Sequence, residues 1–219
     1  MELQPGFALG VAARFHVRSR WADRLRLNSG IERVGAGLHP RADWRPPTAD
    51  ELSVLVDEAP PGVNPLRTNL LAIPARLRAA WWEHVDQAGY ERFASELLEF
   101  LRFKDLPLPV LCAIEVTVSR PDQTGTRFHE ANKAAPLAVV NLGDEASHIV
   151  MSNLPPPAMA DRFFEARSAY PLVRIHLDPG EGLWFPSCDV ICDGSTREKR
   201  ELDVLLTIRP SLAVAANPV

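Results

Sequence analysis

Cys112-Ala-Ile-Glu-Val-Thr-Val-Ser119 is the stretch whose reading decides the fold. Cys112, Ile114, Val116 and Val118 alternate with Ala113, Glu115, Thr117 and Ser119, the period of two expected of a strand with one buried face. Short runs of the same kind follow at Thr126–Ala131, Leu137–Leu142, His148–Ser152, Leu172–Leu177, Leu183–Phe185, Val190–Cys192 and Leu202–Ile208, with one helix at about Met159–Ala169 between them. Many short strands separated by Gly, Pro and Asp predict a sandwich or a barrel.

Upstream the period lengthens. Leu77, Ala80, Trp81 and Val85, then Phe93, Leu97, Leu98 and Leu101, recur at helical spacing, so two helices are expected to cover one face of the sheet. Thr48-Ala-Asp-Glu51 has the capping-box pattern and predicts a short helix through about Val56. Phe7–Ala12 reads as a strand, and Arg14–Arg26 is basic with scattered apolar positions. The expected organisation is α+β and a single domain over 1–219, with a mixed N-terminal part at 1–108 and a β core at 109–210.

Hydrophobic content of 46% and charged content of 24% over 219 residues are ordinary for a globular chain. A net charge of −4 lacks the basic footprint of a nucleic-acid binder. The start carries no basic region followed by an apolar run, and no apolar stretch is long enough to span a bilayer, so a cytoplasmic protein is expected. Cys112, Cys188 and Cys192 make no disulfide framework. Cys188 and Cys192 would stand about 13 Å apart on a straight strand at roughly 3.3 Å per residue, and a turn between them would change this. The 20 prolines punctuate loops such as Arg45-Pro-Pro and Leu154-Pro-Pro-Pro.

Four patches give the β core a family look. Thr126-Arg-Phe-His-Glu-Ala131 is followed by Pro179-Gly-Glu-Gly-Leu-Trp-Phe-Pro186, then by Cys188-Asp-Val-Ile-Cys-Asp-Gly-Ser-Thr196 and Glu201-Leu-Asp-Val-Leu-Leu-Thr-Ile-Arg-Pro210. Their order resembles the catalytic half of the Fe(II)/2-oxoglutarate oxygenases, across about residues 109–210. The resemblance implies a double-stranded β-helix (jelly-roll) barrel with helices packed on one face. It also implies a His-X-Asp/Glu motif, a second histidine after the Pro-Gly-Glu-Gly-like turn, and a basic anchor for 2-oxoglutarate on the last strand. His129 matches the first histidine, but Ala131 stands at the carboxylate position and Cys192 at the second histidine.

The facial triad needs its first two ligands at i and i+2, because only those side chains share a strand face. Glu130, at i+1, belongs to the opposite face unless a bulge turns it inward. Ala131 alone resembles the halogenase variant of the family, in which a halide takes the vacant place. Those enzymes, however, keep the second histidine. Cys192 reads as a small buried strand residue, a nucleophile or a metal ligand. His148 is the candidate substitute ligand, whereas His176 shares parity with Arg174 and is expected to face outward. Asp189 and Asp193 are weaker candidate ligands, Asp193 reading as a turn former, and His16, His39 and His84 read as surface positions. The co-substrate anchors implied by the resemblance are Arg200, eight residues past Cys192, and Arg209, seventeen past it, although each reads locally as a surface cation.

Three functions follow as expectations. One is a diverged oxygenase-fold enzyme of a natural-product pathway, metal-free or atypical, in which His129 acts as acid/base with Cys192 or Glu130 on a small molecule or peptide. Another is a working oxygenase or halogenase holding Fe(II) and 2-oxoglutarate through substitute ligands. The last is a non-catalytic barrel binding a peptide or partner. A homodimer or a partner subunit completing the site is compatible with each.

Overall fold

The computed structural model describes residues 15–17, 21–34, 37–58, 69–84, 86–104, 106, 108, 112–121, 137–152, 164–185, 192–196 and 198–210. In chain order the elements are β1 (Phe15–Val17), α1 (Trp21–Arg24), β2 (Leu25–Leu27), β3 (Ile31–Val34), β4 (Gly37–Pro40), α2 (Ala49–Leu55), β5 (Val56–Glu58), β6 (Asn69–Ala72), α3 (Ala75–Glu83) and α4 (Gln87–Phe103). Then come β7 (Cys112–Ser119), β8 (Ala138–Asn141), β9 (Ser147–Met151), β10 (Val173–Leu177), β11 (Glu181–Trp184), β12 (Cys192–Ser195) and β13 (Asp203–Pro210).

Two antiparallel sheets carry the architecture. One is ordered β6-β11-β8-β13-β7 and the other β12-β9-β10-β2, with small pairs β1-β5 and β3-β4 beside them. The fold is α+β, as expected, but the sheets do not close into a barrel among the described residues. The N-terminal part supplies β2 and β6, one to each sheet, at positions where no strand was expected.

Side-chain parity splits the core into two layers. Even-numbered residues of β8 and β13, including Ala138, Val140, Leu206 and Ile208, pack beneath Leu77, Phe93, Leu97 and Leu101 of α3 and α4. Ile114 and Val116 of β7 join that layer, so the apolar face read from the sequence meets the helices. Val139, Leu183 and Leu205 point the other way, toward Ile149, Val173 and Ile175 of the four-stranded sheet. Most of the stability of a helix such as α4 comes from packing its apolar face rather than from propensity. Burying Phe93, Leu97 and Leu101 contributes about 1.5–3 kcal/mol each and holds α4 in place.

Local chemistry sets the element ends. Asp86 caps α4 by accepting the Gly89 N–H at 2.7 Å. The capping box at α2 forms as predicted, with Glu51 Oε2 taking the Thr48 N–H at 2.8 Å and Thr48 Oγ1 taking the Glu51 N–H at 3.3 Å. In Asp178-Pro-Gly-Glu181, Gly180 has φ +83° and the Glu181 N–H donates to the Asp178 carbonyl at 2.9 Å, the chemistry of a Pro-Gly turn. Gly182 serves a different end: a Cβ there would stand 2.4 Å from the Val139 carbonyl oxygen. Asp193-Gly-Ser195, expected as a turn, is strand β12 instead, because it pairs in register with Val150, Ile149 and His148 of β9.

Glu51 is buried, and its two carboxylate oxygens each accept an Arg45 hydrogen bond at 2.7 Å. That guanidinium holds the Glu51 carboxyl at about 2, well below the ordinary glutamate value near 4.3. A depressed folded-state pKa adds stability that is fully present above the unfolded value and is lost as pH falls toward about 2. Glu51→Gln is expected to cost about 2 kcal/mol at pH 7, discounted for the part-exposed Arg45 partner, and to flatten the urea-melt stability profile below pH 4.5.

Candidate functional site

Between the sheets lies a cavity of about 170 Å³. Its floor is β7 and β13, which present Thr117, Ser119, Asp203, Thr207 and Arg209 toward it, and Gly194 of β12 forms part of the roof. The polar set of β7, read as the strand's other face, is therefore turned toward the second sheet. A Cβ at Gly194 would come within 2.8 Å of Leu205 Cδ1.

Arg209 occupies one end of this slot. Its side chain is 23% exposed and its Nε lies 3.5 Å from Glu115 Oε2, so it is not the surface cation read locally. The opposite end is built by Ser147, Lys199 and Asp203, all buried. Lys199 Nζ donates to Ser147 Oγ at 3.0 Å and also to Asp203 Oδ1, which accepts the Ser147 hydroxyl as well. Glu198, just before Lys199, takes a left-handed backbone with φ 74° and pairs with Arg174 at 3.3 Å. A non-glycine residue seldom adopts that conformation. The turn leaves Lys199 with its side chain 1% exposed.

His148 lies elsewhere. It neighbours cavity-lining Ile149 on β9 and so belongs to the outer face of the four-stranded sheet, opposite His176 of β10. The two rings are 5.4 Å apart, and His176 Nε2 is 2.9 Å from Asp178 Oδ1, half exposed as expected. His148 Nδ1 is buried without a hydrogen-bond partner. Burial first, then the charge of Arg174 and the ring of His176, push the His148 imidazole down to about 4. This placement corrects the reading of His148 as a ligand inside the β core.

Arg200 is exposed; its backbone N–H donates to Glu145 Oε2 at 2.9 Å, and it does not line the slot. Of the two expected anchors, only Arg209 lines it. Cys192 begins β12 at the register position opposite Met151, and it shares parity with Gly194. His129, Glu130, Ala131 and Asp189 lie outside the described residues, as do the side chains of Cys192 and Asp193.

No group of three His, Cys, Asp or Glu side chains that could hold a metal ion occurs among the described residues. The cavity, by contrast, suits a small polar molecule. Engineered cavities of roughly 150 Å³ hold a benzene-sized guest, and this one adds a guanidinium at one end and a carboxylate at the other.

Sequence reasoning missed Ser147, Lys199 and Asp203. Lys199 and Asp203 stand four apart across a turn, a spacing that in the sequence is indistinguishable from a solvated pair. No family model, curated protein or solved structure matches this chain. No helix among the described residues is long and apolar enough to cross a membrane.

The His148 environment gives a pH signature. Its folded-state pKa lies below the ordinary histidine value near 6.5, so the native state favours the neutral ring. Stability from this group is complete above pH 6.5 and is lost as pH falls toward about 4. His148→Phe is expected to reduce the slope of unfolding free energy against pH in that window, read by urea melts at stepped pH. An unchanged slope would show that another group carries it.

Proposed function

We propose that this chain is a diverged oxygenase-fold jelly roll that binds a small carboxylate between its sheets and acts on it, or on a molecule carrying it, without the standard iron triad. The fold part rests on strand pairing. An eight-stranded jelly roll wraps a long hairpin so that strands pair first with eighth, second with seventh, third with sixth and fourth with fifth. Taking β7 as first and β8 to β13 as third to eighth, the pairs β7·β13, β8·β11 and β9·β10 are the outer, third and inner rungs of that ladder.

The functional part is carried by one observation: Arg209, on the last strand, lines a cavity between the sheets. Guanidinium and carboxylate match in charge and fork geometry. Cys192 opens β12 opposite Met151, at the end of the sandwich where β13 finishes with Arg209. In this reading His129 is the acid/base, assisted by Cys192 or Glu130, in a step on a small molecule or peptide. On this reading one imidazole and one thiol replace the two imidazoles and the carboxylate of an iron site, and no step passes through iron.

Calorimetry with 2-oxoglutarate, succinate and simple monocarboxylates, with and without added Fe(II), tests the reading. Carboxylate binding is expected with no need for metal, weakened at least about tenfold in Arg209→Gln, the size of a charge-assisted hydrogen bond. Gly194→Val, which fills the slot, is expected to abolish it while leaving the melting temperature within a few degrees. Absence of carboxylate binding sinks the proposal. Stoichiometric iron with consumption of 2-oxoglutarate would restore the oxygenase reading. Once a turnover is found, loss of it in His129→Ala with binding retained identifies an enzyme rather than a binder.

A further inference from the structure

The Asp203 side chain is 3% exposed, yet only half of its carboxylate is used. Oδ1 takes both Lys199 Nζ and the Ser147 hydroxyl, whereas Oδ2 has no hydrogen-bond donor among the described residues. That free oxygen borders the slot: a Cβ on Gly194 would stand 3.9 Å from it. Oδ2 is open to the cavity rather than sealed in the core, so a ligand's donor can reach it and take the place of water there.

The charge of Lys199 sits against Asp203 and cancels its pull on a second cation. What Oδ2 offers is a lone pair in a nearly neutral setting. A hydroxyl suits it better than an ammonium, which would lose its hydration without full electrostatic compensation. Asp203 and Arg209 are also six residues apart on one extended strand, about 20 Å between backbone positions at roughly 3.3 Å per residue. Two groups on one carbon cannot reach both ends.

We propose that Asp203 Oδ2 is the second anchor of the slot and that its ligands are extended hydroxycarboxylic acids, with the carboxylate at Arg209 and a distal hydroxyl at Asp203. This rests on the carboxylate reading above and names its substrate class. Lys199 and Ser147 are positioning residues: they hold Oδ1 so that Oδ2 faces the ligand. Leu205, Val139 and Ile149 line the middle and suit an unbranched methylene chain.

The test is calorimetry on the full chain with a homologous series of ω-hydroxyalkanoic acids, the matched alkanoic acids and the matched ω-amino acids. At the fitting chain length the hydroxy acid is expected to bind at least about tenfold more tightly than the alkanoic acid, with no comparable gain for the amino acid. Equal affinity of hydroxy and alkanoic acids at every length overturns the Asp203 assignment and leaves the carboxylate reading standing; failure of all three series removes both. A preference for the amino acid overturns the hydroxyl assignment. A second arm uses the double variant Lys199→Leu with Asp203→Leu, which leaves no buried charge unpaired. There the ratio of hydroxy-acid to alkanoic-acid affinity is expected to fall to about one, and a retained ratio overturns the role of Asp203.

Discussion

Burial of the five-stranded sheet on both faces is the constraint from which the rest of the structure follows. β8 shows it best, since all four of its residues are buried. Ala138 and Val140 sit under the helices while Val139 meets the second sheet. A strand in that position tolerates no unpaired backbone, and its neighbours must come close on either side. Gly182 of β11 answers the second demand, because any larger residue would collide with the Val139 carbonyl. Asn141, fully buried at the end of β8, donates to the Glu145 and Leu177 carbonyls and accepts the Gly143 N–H. It thereby closes the turn that sends the chain from one sheet to the other.

Buried polar groups elsewhere obey the same accounting. Asn28 accepts the Gly30 and Leu172 N–H groups and donates to the Gly30 and Arg41 carbonyls, tying the β2 end to the loop before β10. Glu51 spends both oxygens on Arg45 and one also on the cap of α2. The second oxygen of Asp203 differs in kind, because it borders the cavity, where the donor of a bound molecule can reach it.

The likeness to the oxygenase family divides into two kinds of residue. Pro179-Gly-Glu-Gly182 is explained by backbone needs: a left-handed Gly180, a close approach at Gly182, and Glu181 receiving Arg24 at 2.8 Å. Such a patch follows from how the sheets connect and says little about chemistry. Ala131 and Cys192, by contrast, take ligand positions only in the proposed alignment with that family. On that proposal frame and reaction are separable, as they are in folds that host many functions.

Periodicity alone determined β7, β8, β9, β10, β11 and β13, the two helices α3 and α4 and the capping box at Thr48, because each depends on neighbours a few residues away. The parity set Asp203, Leu205, Thr207 and Arg209 was equally legible along β13. Which way that set faced was not, because a period of two distinguishes two faces without saying what covers each. Only the packed structure turned Arg209 inward, moved His148 to the outer face and buried Lys199 against Asp203. β2 and β6 were also beyond local reading, since strands of three and four residues are held by partners more than a hundred positions away. Short-range order is written in the spacing of side chains, whereas a cavity arises where two distant surfaces meet.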